Sequence, residues 1–338
     1  MPNIKPVTGK SGSRDIRAWV VTDGRIGIEN QARGLAEHLQ RESTRPFTFK
    51  CHRLGEDAGF RRLPTSLQRL TKTKPKHFGL SGPYPDIMIG CGRQSIPALI
   101  ALKRADPNCF TIYIQHPRLS LLHFDLVIAP EHDGLSGPNI IPMIGAPHRV
   151  TQERLEPARS DFAAELKPLG PKRACLLIGG NSKTHILSKT VHNHHIKAAT
   201  TLLEQGYGLM ISLSRRSPDF VRQAYKELAQ TSPKVWTYDG QGDNPYFTFL
   251  ANANAVLVTE DSTNMLVEAC VASVPVYRLP MQAHKSGKTK FTQLYQRLET
   301  EYDVTLFNGH IETNFTPPPL LESASVAKEV LARFSSKN

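Results

Sequence analysis

The chain has 338 residues, 39% hydrophobic and 21% charged, enough for two globular domains and inconsistent with a disordered tail, a collagen-like rod or a coiled coil. Lys and Arg number 42 against 30 Asp and Glu, and the net charge of +12 is uneven, with 21 cations and 12 anions in residues 1–150. No apolar run approaches the roughly 18 residues of a bilayer span, the start MPNIKPVTGKSGSRD lacks the apolar stretch of a secretory signal, and five scattered cysteines form no CxxC pair, so a cytoplasmic protein without disulfides or structural zinc is expected.

Short β-rich runs alternate with helical patterns, the signal of βαβ units and parallel sheets. The run IRAWVVT (16–22) reads as a strand, DGRIG (23–27) as a turn, and 29–41 as a helix with Ala32, Leu35, Ala36 and Leu39 on one face. Strands are predicted at 47–53, 86–91, 110–115, 125–130 and 140–145, with a helix near 95–104. The proline-rich stretch 146–171, with a helix at 161–166, marks the domain boundary. The alternation then restarts. Strands are expected at 174–179, 208–214, 235–238, 255–260 and 274–279, and helices at 189–204, 218–228, 245–253, 262–272 and 290–298. A proline stop and a final amphipathic helix, 320–335, close the chain and are expected to return to the first domain. This is an α/β protein of two Rossmann-like, doubly wound parallel-sheet domains, 1–150 and 151–319, expected to face one another across a cleft.

In such sheets ligands bind beyond the carboxyl ends of strands, so the loops there are the candidate seats of chemistry. In Thr22-Asp23-Gly24-Arg25-Ile26-Gly27 two glycines permit a tight turn, and Asp23, beside a helix amino terminus, is a candidate base toward a hydroxyl. His116, in Gln115-His116-Pro117-Arg118, is the second candidate base, and Arg118 suits an anion. Arg93, Asn30 and Gln31 stand near the same strand ends, with Gly24 and Arg25, as acceptor-side residues. In the second half, Gly179-Gly180-Asn181-Ser182-Lys183 could bring backbone N–H groups to a phosphate, and Ser214-Arg215-Arg216 suits a diphosphate. Neither GxxxxGK[ST] nor GxGxxG occurs, so a P-loop and a dinucleotide fingerprint are absent. In Thr259-Glu260-Asp261-Ser262-Thr263-Asn264-Met265-Leu266-Val267-Glu268, Ser262 is placed to cap a helix and Glu268, two turns in, to accept both hydroxyls of a ribose. The run His192-Asn193-His194-His195 reads as a solvated helical face rather than a metal tract. The stretch FRRLPTSLQRLTKTKPKHF (60–78), with six cations and no acid, suits an anionic membrane surface or a solvated loop equally. Aromatics are only 7% and show no alternation with basic residues, so nucleic acid is not an expected partner.

The segments VTDGRIGIENQARGLAEHL, PDIMIGCGRQSIPAL, FDLVIAPEHD, LLIGGNSK, SLSRRSPDF and NPYFTFLANANAVLVTEDSTNMLVEACVASVPVY occur in that order, followed by KTKFTQLYQRL. Together they resemble the mitochondrial fission (elongated-mitochondria) family from about residue 18 to residue 298. The resemblance implies a GT-B-like fold and a nucleotide sugar as co-substrate, with no obligatory metal or other cofactor. It places Gly179, Gly180, Asn181, Ser214, Arg215, Arg216, Asn244, Asp261, Ser262, Met265 and Glu268 on the donor side. Two positions depart from the family pattern: Glu260, where a small residue is expected, and Asn264, where Ser is usual. Glu260 and Glu268 satisfy E-x7-E, which resembles retaining GT-B enzymes, but the departure at Glu260 makes the match read as coincidence. The expected function is a nucleotide-sugar-dependent glycosyltransferase with a lipid-linked or membrane-associated acceptor, peripheral on an inner membrane face. The alternative is a non-enzymatic membrane adaptor on the same scaffold, as the plant members imply through recruitment of a dynamin-related protein. A nucleoside-diphosphate-sugar epimerase ranks lower, because GxGxxG and a suitably placed Y-x-x-x-K are missing.

Overall fold

The structure is a computed structural model that describes residues 14–54, 73–284 and 291–337. The chain forms two compact units: unit 1 runs to Ala129 and includes Leu135–Arg149 and the stretch from Glu322, and unit 2 comprises Pro130–Gly134 and Val150–Leu321. Most of the basic stretch, residues 60–72, lies outside the described residues; its end, Pro75–Phe78, is a short 3-10 turn that buries Phe78.

Unit 1 is built from β1 (Ile16–Thr22), α1 (Ile26–Glu42), β2 (Phe47–Arg53), β3 (Ile87–Cys91), α2 (Ile96–Ala105), β4 (Phe110–Ile114), β5 (Leu126–Pro130) and β6 (Ile140–Met143). The sheet order is β2-β1-β3-β4-β5-β6, and β2, β1, β3, β4 and β5 run parallel. All positions of β3 and β4 are buried, because helices cover both faces. Side chains alternate across the sheet: Val20, Ile89, Ile112 and Ile128 meet α1 on one face, and Val21, Met88 and Tyr113 meet Leu99 and Leu102 of α2 on the other. The C-terminal helix, Glu322–Lys337, packs on the α1 side through Val326, Val330 and Phe334, the last edge-on to Phe110 at 5.7 Å.

Helix α1 begins three residues earlier than its apolar face indicates. Gly24, at φ 80°, makes the turn alone, the Arg25 carbonyl accepts the first helical bonds, and Gly27 already lies inside the helix. Strand β6 ends at Met143, two residues short of expectation.

Unit 2 opens with α3 (Gln152–Ala158), a helix not anticipated in so proline-rich a stretch, and the single-turn α4 (Ala163–Leu166). There follow β7 (Arg173–Ile178), β8 (His185–Ile186), α5 (Lys189–Glu204), β9 (Gly208–Leu213), α6 (Asp219–Thr231), β10 (Val235–Tyr238), α7 (Tyr246–Asn252), β11 (Ala255–Thr259), α8 (Thr263–Ala269) and β12 (Val276–Leu279). A short β13 (Gln282–Ala283) pairs antiparallel with β8, and α9 (Thr292–Tyr302) and β14 (Thr305–Leu306) complete the unit. Its six-stranded sheet is parallel, in the order β10-β9-β7-β11-β12-β14.

The histidine run corrects the expectation of a solvated face. His192 and His195 are three residues apart and therefore share the inner face of α5, where both are buried; only Asn193 and His194 are exposed. His195 Nε2 lies 2.8 Å from the Pro280 carbonyl, and His192 packs edge-on to Phe220 and Tyr225. No group of three metal-ligating side chains and no helix long and apolar enough to cross a membrane occurs among the described residues.

Candidate functional site

The order of the unit 2 sheet reverses between β7 and β11, and a crevice for ligand opens at such a switch point because the flanking connections leave on opposite faces. The loops that meet there are Gly179-Gly180-Asn181 after β7 and Glu260-Asp261-Ser262 after β11. They are locked together. Thr259 Oγ1 accepts from Gly179 N at 2.7 Å and bonds Asp261 Oδ1 at 2.7 Å. Asp261 Oδ2 accepts from Gly180 N at 3.1 Å and from Arg216 Nη2 at 2.8 Å, and the Asp261 side chain has 0% exposure. Both glycines are required by this closeness rather than by a left-handed backbone. A Cβ on Gly179 would lie 2.1 Å from Asp261 Oδ1, and one on Gly180 2.1 Å from the Arg216 carbonyl.

The two glycine N–H groups that the sequence offers to a phosphate are thus bonded within the protein, to a hydroxyl and a buried carboxylate. Arg216 is divided between Asp261 and the Asn181 carbonyl, and Ser214 Oγ accepts from the Arg216 N–H. Arg215 and Lys183 are exposed and make no ion pair among the described residues, so they are the free cations of these loops. Asn181 Oδ1 accepts from Leu187 N and braces the start of the β8 excursion.

Ser262 occupies the N-cap position of α8, but its side chain makes no cap bond, contrary to expectation; the α8 turn is held by Thr259 and Ser262 carbonyls instead. Glu268 accepts a 2.5 Å hydrogen bond at Oε2 from the Tyr246 hydroxyl on α7, and Asn244 Oδ1 accepts from Tyr246 N to start that helix. Burial of the Glu268 carboxyl raises its pKa to about 7, with the Tyr246 bond pulling the other way, and burial together with the Glu268 charge pushes the Tyr246 phenol up. Oε1 of Glu268 has no hydrogen bond among the described residues. Met265, one helical turn before it, is half-buried. Sequence reasoning missed Tyr246, although NPYFTFL was among the resembling segments, because a partner 22 residues away on another helix leaves no spacing signal. It also left Thr259 as an ordinary strand end.

Glu260 is structural. Its carboxylate takes Arg278 Nη1 at 2.9 Å and Met281 N at 3.0 Å, and its carbonyl accepts from the Tyr295 hydroxyl. Both acid oxygens are therefore spent on β12 and the segment after it.

In unit 1 the order reverses between β1 and β3. Asp23 after β1 is nearly enclosed, with 4% of its side chain exposed, and Arg25 grips it through Nη2 at 2.7 Å and Nε at 2.9 Å. Gly92 after β3 lies against this pair, its position for a Cβ only 3.5 Å from Asp23 Oδ2 and 3.6 Å from Arg25 Nη2. Glu29 in the first turn of α1 takes both nitrogens of the Arg53 fork, at 2.8 and 3.0 Å, which lowers its pKa. Buried Gln31 accepts at Oε1 from Gln115 Nε2 at 2.9 Å and from Cys91 Sγ at 3.3 Å. His116 Nδ1 accepts from Arg118 N at 2.9 Å, so its neutral ring carries the proton on Nε2. Arg93 is exposed and Asn30 half-buried, neither with a hydrogen bond or ion pair among the described residues.

Two consecutive six-stranded α/β units, each with its polar residues at the strand ends, define a protein of the GT-B-like class. Solved structures of that fold include the UDP-GlcNAc 2-epimerase of Methanocaldococcus jannaschii, with TM-score 0.58 and 12% identity over 95% of this chain and 100% of that one. The Neisseria meningitidis UDP-GlcNAc 2-epimerase bound to UDP-GlcNAc gives TM-score 0.55 and 12% identity over 96% and 100%. The model of the mitochondrial fission ELM1 family matches residues 26–334, and the chain belongs to that family. It is 29% identical to the mitochondrial fission protein ELM1 of Arabidopsis thaliana over 75% of its own length, and the match spans 65% of the plant protein. It is 25% identical to protein RP120 of Rickettsia prowazekii (strain Madrid E), over 92% of this chain and 96% of that one.

Proposed function

We propose that the chain is a glycosyltransferase that takes a nucleoside-diphosphate sugar on unit 2 and an acceptor hydroxyl on unit 1. The observation that supports it most is the meeting of Gly179-Gly180, Asp261 and Arg216 at the β7/β11 switch point, with Glu268 on the helix that leaves it. In this reading Arg215, Lys183 and a released Arg216 face the diphosphate, and the free Oε1 of Glu268 accepts from the ribose. The acceptor oxygen bonds to the sugar carbon, the nucleoside diphosphate leaves with its bonding pair, and the hydroxyl proton passes to a base. Asp23 is preferred to His116 as that base because it stands at the β1/β3 switch point; Arg25 holds its carboxylate and must release it, just as His116 Nδ1 is bonded to Arg118 N. Cations stand in for a metal at the diphosphate, so EDTA should leave nucleotide binding unchanged.

The test is thermal unfolding with UDP, UDP-GlcNAc and other nucleotides. A bound nucleotide should raise Tm, since it stabilises the native state alone, and Glu268→Gln, which keeps an acceptor for Tyr246, should abolish the rise. An unchanged Tm with every nucleotide at millimolar concentration contradicts the proposal. Asp23→Asn should then preserve the Tm rise while lowering turnover about 100-fold or more.

The adaptor reading has one observation in its favour: the resting loop has its own carboxylate, Asp261, on the donors a phosphate would use. Absence of any nucleotide effect, with binding to anionic vesicles retained, would select it. The neighbours that carry UDP-GlcNAc also make an epimerase assay with that sugar nucleotide the natural companion measurement.

A further inference from the structure

We propose that the strand-end loops of unit 1 form a binding site for a phosphate monoester, built on Gln31, Arg93, Arg118 and His116. Under the proposed function this names the acceptor's anionic group, and it rests on that reading only for the word acceptor.

The loops in question follow β1, β3 and β4, which are neighbours in the sheet; Cys91 and Ile114, the last residues of β3 and β4, pair directly. Gly92-Arg93 and Gln115-His116 therefore emerge side by side. The polar groups here divide into two sets. The carboxylates of Asp23 and Glu29 are each already held by a guanidinium, Arg25 and Arg53. Arg93 and Arg118 are exposed and form no ion pair among the described residues, which leaves two positive charges uncompensated.

Gln31 supplies the second, independent observation. It is 6% exposed, its Oε1 is filled by Gln115 and Cys91, and its amide NH2 has no hydrogen-bond partner among the described residues. The residue is buried, but this nitrogen is not closed off from solvent, so a ligand at the strand ends can accept from it. His116 points to the same polarity: with Nδ1 occupied, its neutral ring offers only a donor, Nε2–H. The uncommitted groups of Gln31, His116, Arg93 and Arg118 are thus donors or cations, set against one free acceptor, Gln115 Oε1. The backbone is shaped around them at some expense, since Gln115 at φ 91° and Arg118 at φ 56° both take left-handed conformations that non-glycine residues seldom adopt. Tyr113 of β4 is buried beneath the same strand ends, and its hydroxyl has no hydrogen-bond partner among the described residues. Two guanidiniums and two neutral donors match a dianion of phosphate size, which accepts several charge-assisted bonds at once.

The experiment is calorimetric titration of the full chain with sn-glycerol 3-phosphate, without nucleotide, and flotation with phosphatidylcholine vesicles with and without phosphatidic acid. Saturable binding is expected. Replacement of both exposed arginines, Arg93→Ser with Arg118→Ser, should weaken it about tenfold or more with the circular dichroism spectrum unchanged. Gln31→Glu, which puts a carboxylate at the buried position, should weaken it as well. Binding of the soluble ester alone supports a free phosphate monoester; binding of phosphatidic acid vesicles lost in the double variant supports a lipid headgroup. No binding of either, or equal binding by the double variant, overturns the site. Because the titration contains no nucleotide, failure of unit 2 to bind UDP leaves its outcome intact.

Discussion

Asp261 and Glu268 show how differently two acids in one loop–helix segment can be used. Asp261 is enclosed and saturated by Thr259, Gly180 and Arg216, so it holds β7 and β11 together and keeps the anion donors engaged. Asp261→Asn should free Arg216 and strengthen pyrophosphate binding severalfold in a calorimetric titration, with a stability loss of about 1–3 kcal/mol in urea. Unchanged pyrophosphate affinity would mean that Arg216 is not available to ligand. Glu268 carries a pKa raised to about 7, against a usual value of 4.5. If its carboxylate accepts ribose hydroxyls, nucleotide affinity should rise as pH passes upward through 7, and Glu268→Gln should show no nucleotide binding at either end of that range. The same raised value gives stability that is complete below about 4.5 and is lost as pH climbs through 7. Titration of affinity between pH 6 and 8, roughly one unit either side of that pKa, separates this from a pH-independent site. Glu268 was legible in the sequence because its helix position is fixed by the strand before it. Tyr246 and Arg216's commitment to Asp261 were not, because both depend on contacts between segments far apart in the chain.

The strands were readable as apolar runs because helices bury both faces of each sheet, as at β3, β4 and β11. Helix ends were less so: Gly24 rather than Gly27 makes the turn before α1, and only the backbone angle tells the two glycines apart. On α5 polarity misled, since histidine counts as polar yet two of the three are core residues. Burial pushes His195 down to about 4 and lowers His192 as well. With folded pKa values below the unfolded value of about 6.5, their contribution is present above that pH and is lost as pH falls toward 4. Glu268 acts in the opposite sense over much of the same window, so the comparison must be with a variant. His195→Gln should be less stable than wild type at pH 7.5 by thermal unfolding, and the gap should narrow steadily toward pH 4.5, both being about pH values chosen around that window. A gap independent of pH would show that His195 does not titrate in the folded unit.

At the scale of the whole chain, two units of similar construction carry different polar sets at their strand ends. Unit 2 has a buried acid, Asp261, bonded to Gly180, and unit 1 has Arg93 and Arg118 without an ion pair among the described residues. The basic stretch 60–78 supplies six of the +9 charges of residues 1–150. If it meets a membrane, vesicles with anionic lipid should bind the chain in a salt-sensitive way, and charge reversal at Arg61, Arg62, Arg69 and Lys72 should remove the binding. Equal binding by the reversed variant would leave the stretch as a solvated loop. The proposed donor site puts a nucleoside diphosphate at the β7/β11 switch point of unit 2. Hydrogen–deuterium exchange of the full chain with and without saturating UDP addresses it most directly. Slowed exchange is expected in residues 179–184, 214–217 and 259–268, with little change elsewhere in unit 2. Exchange unaltered in those three segments, with or without protection in unit 1, would contradict it.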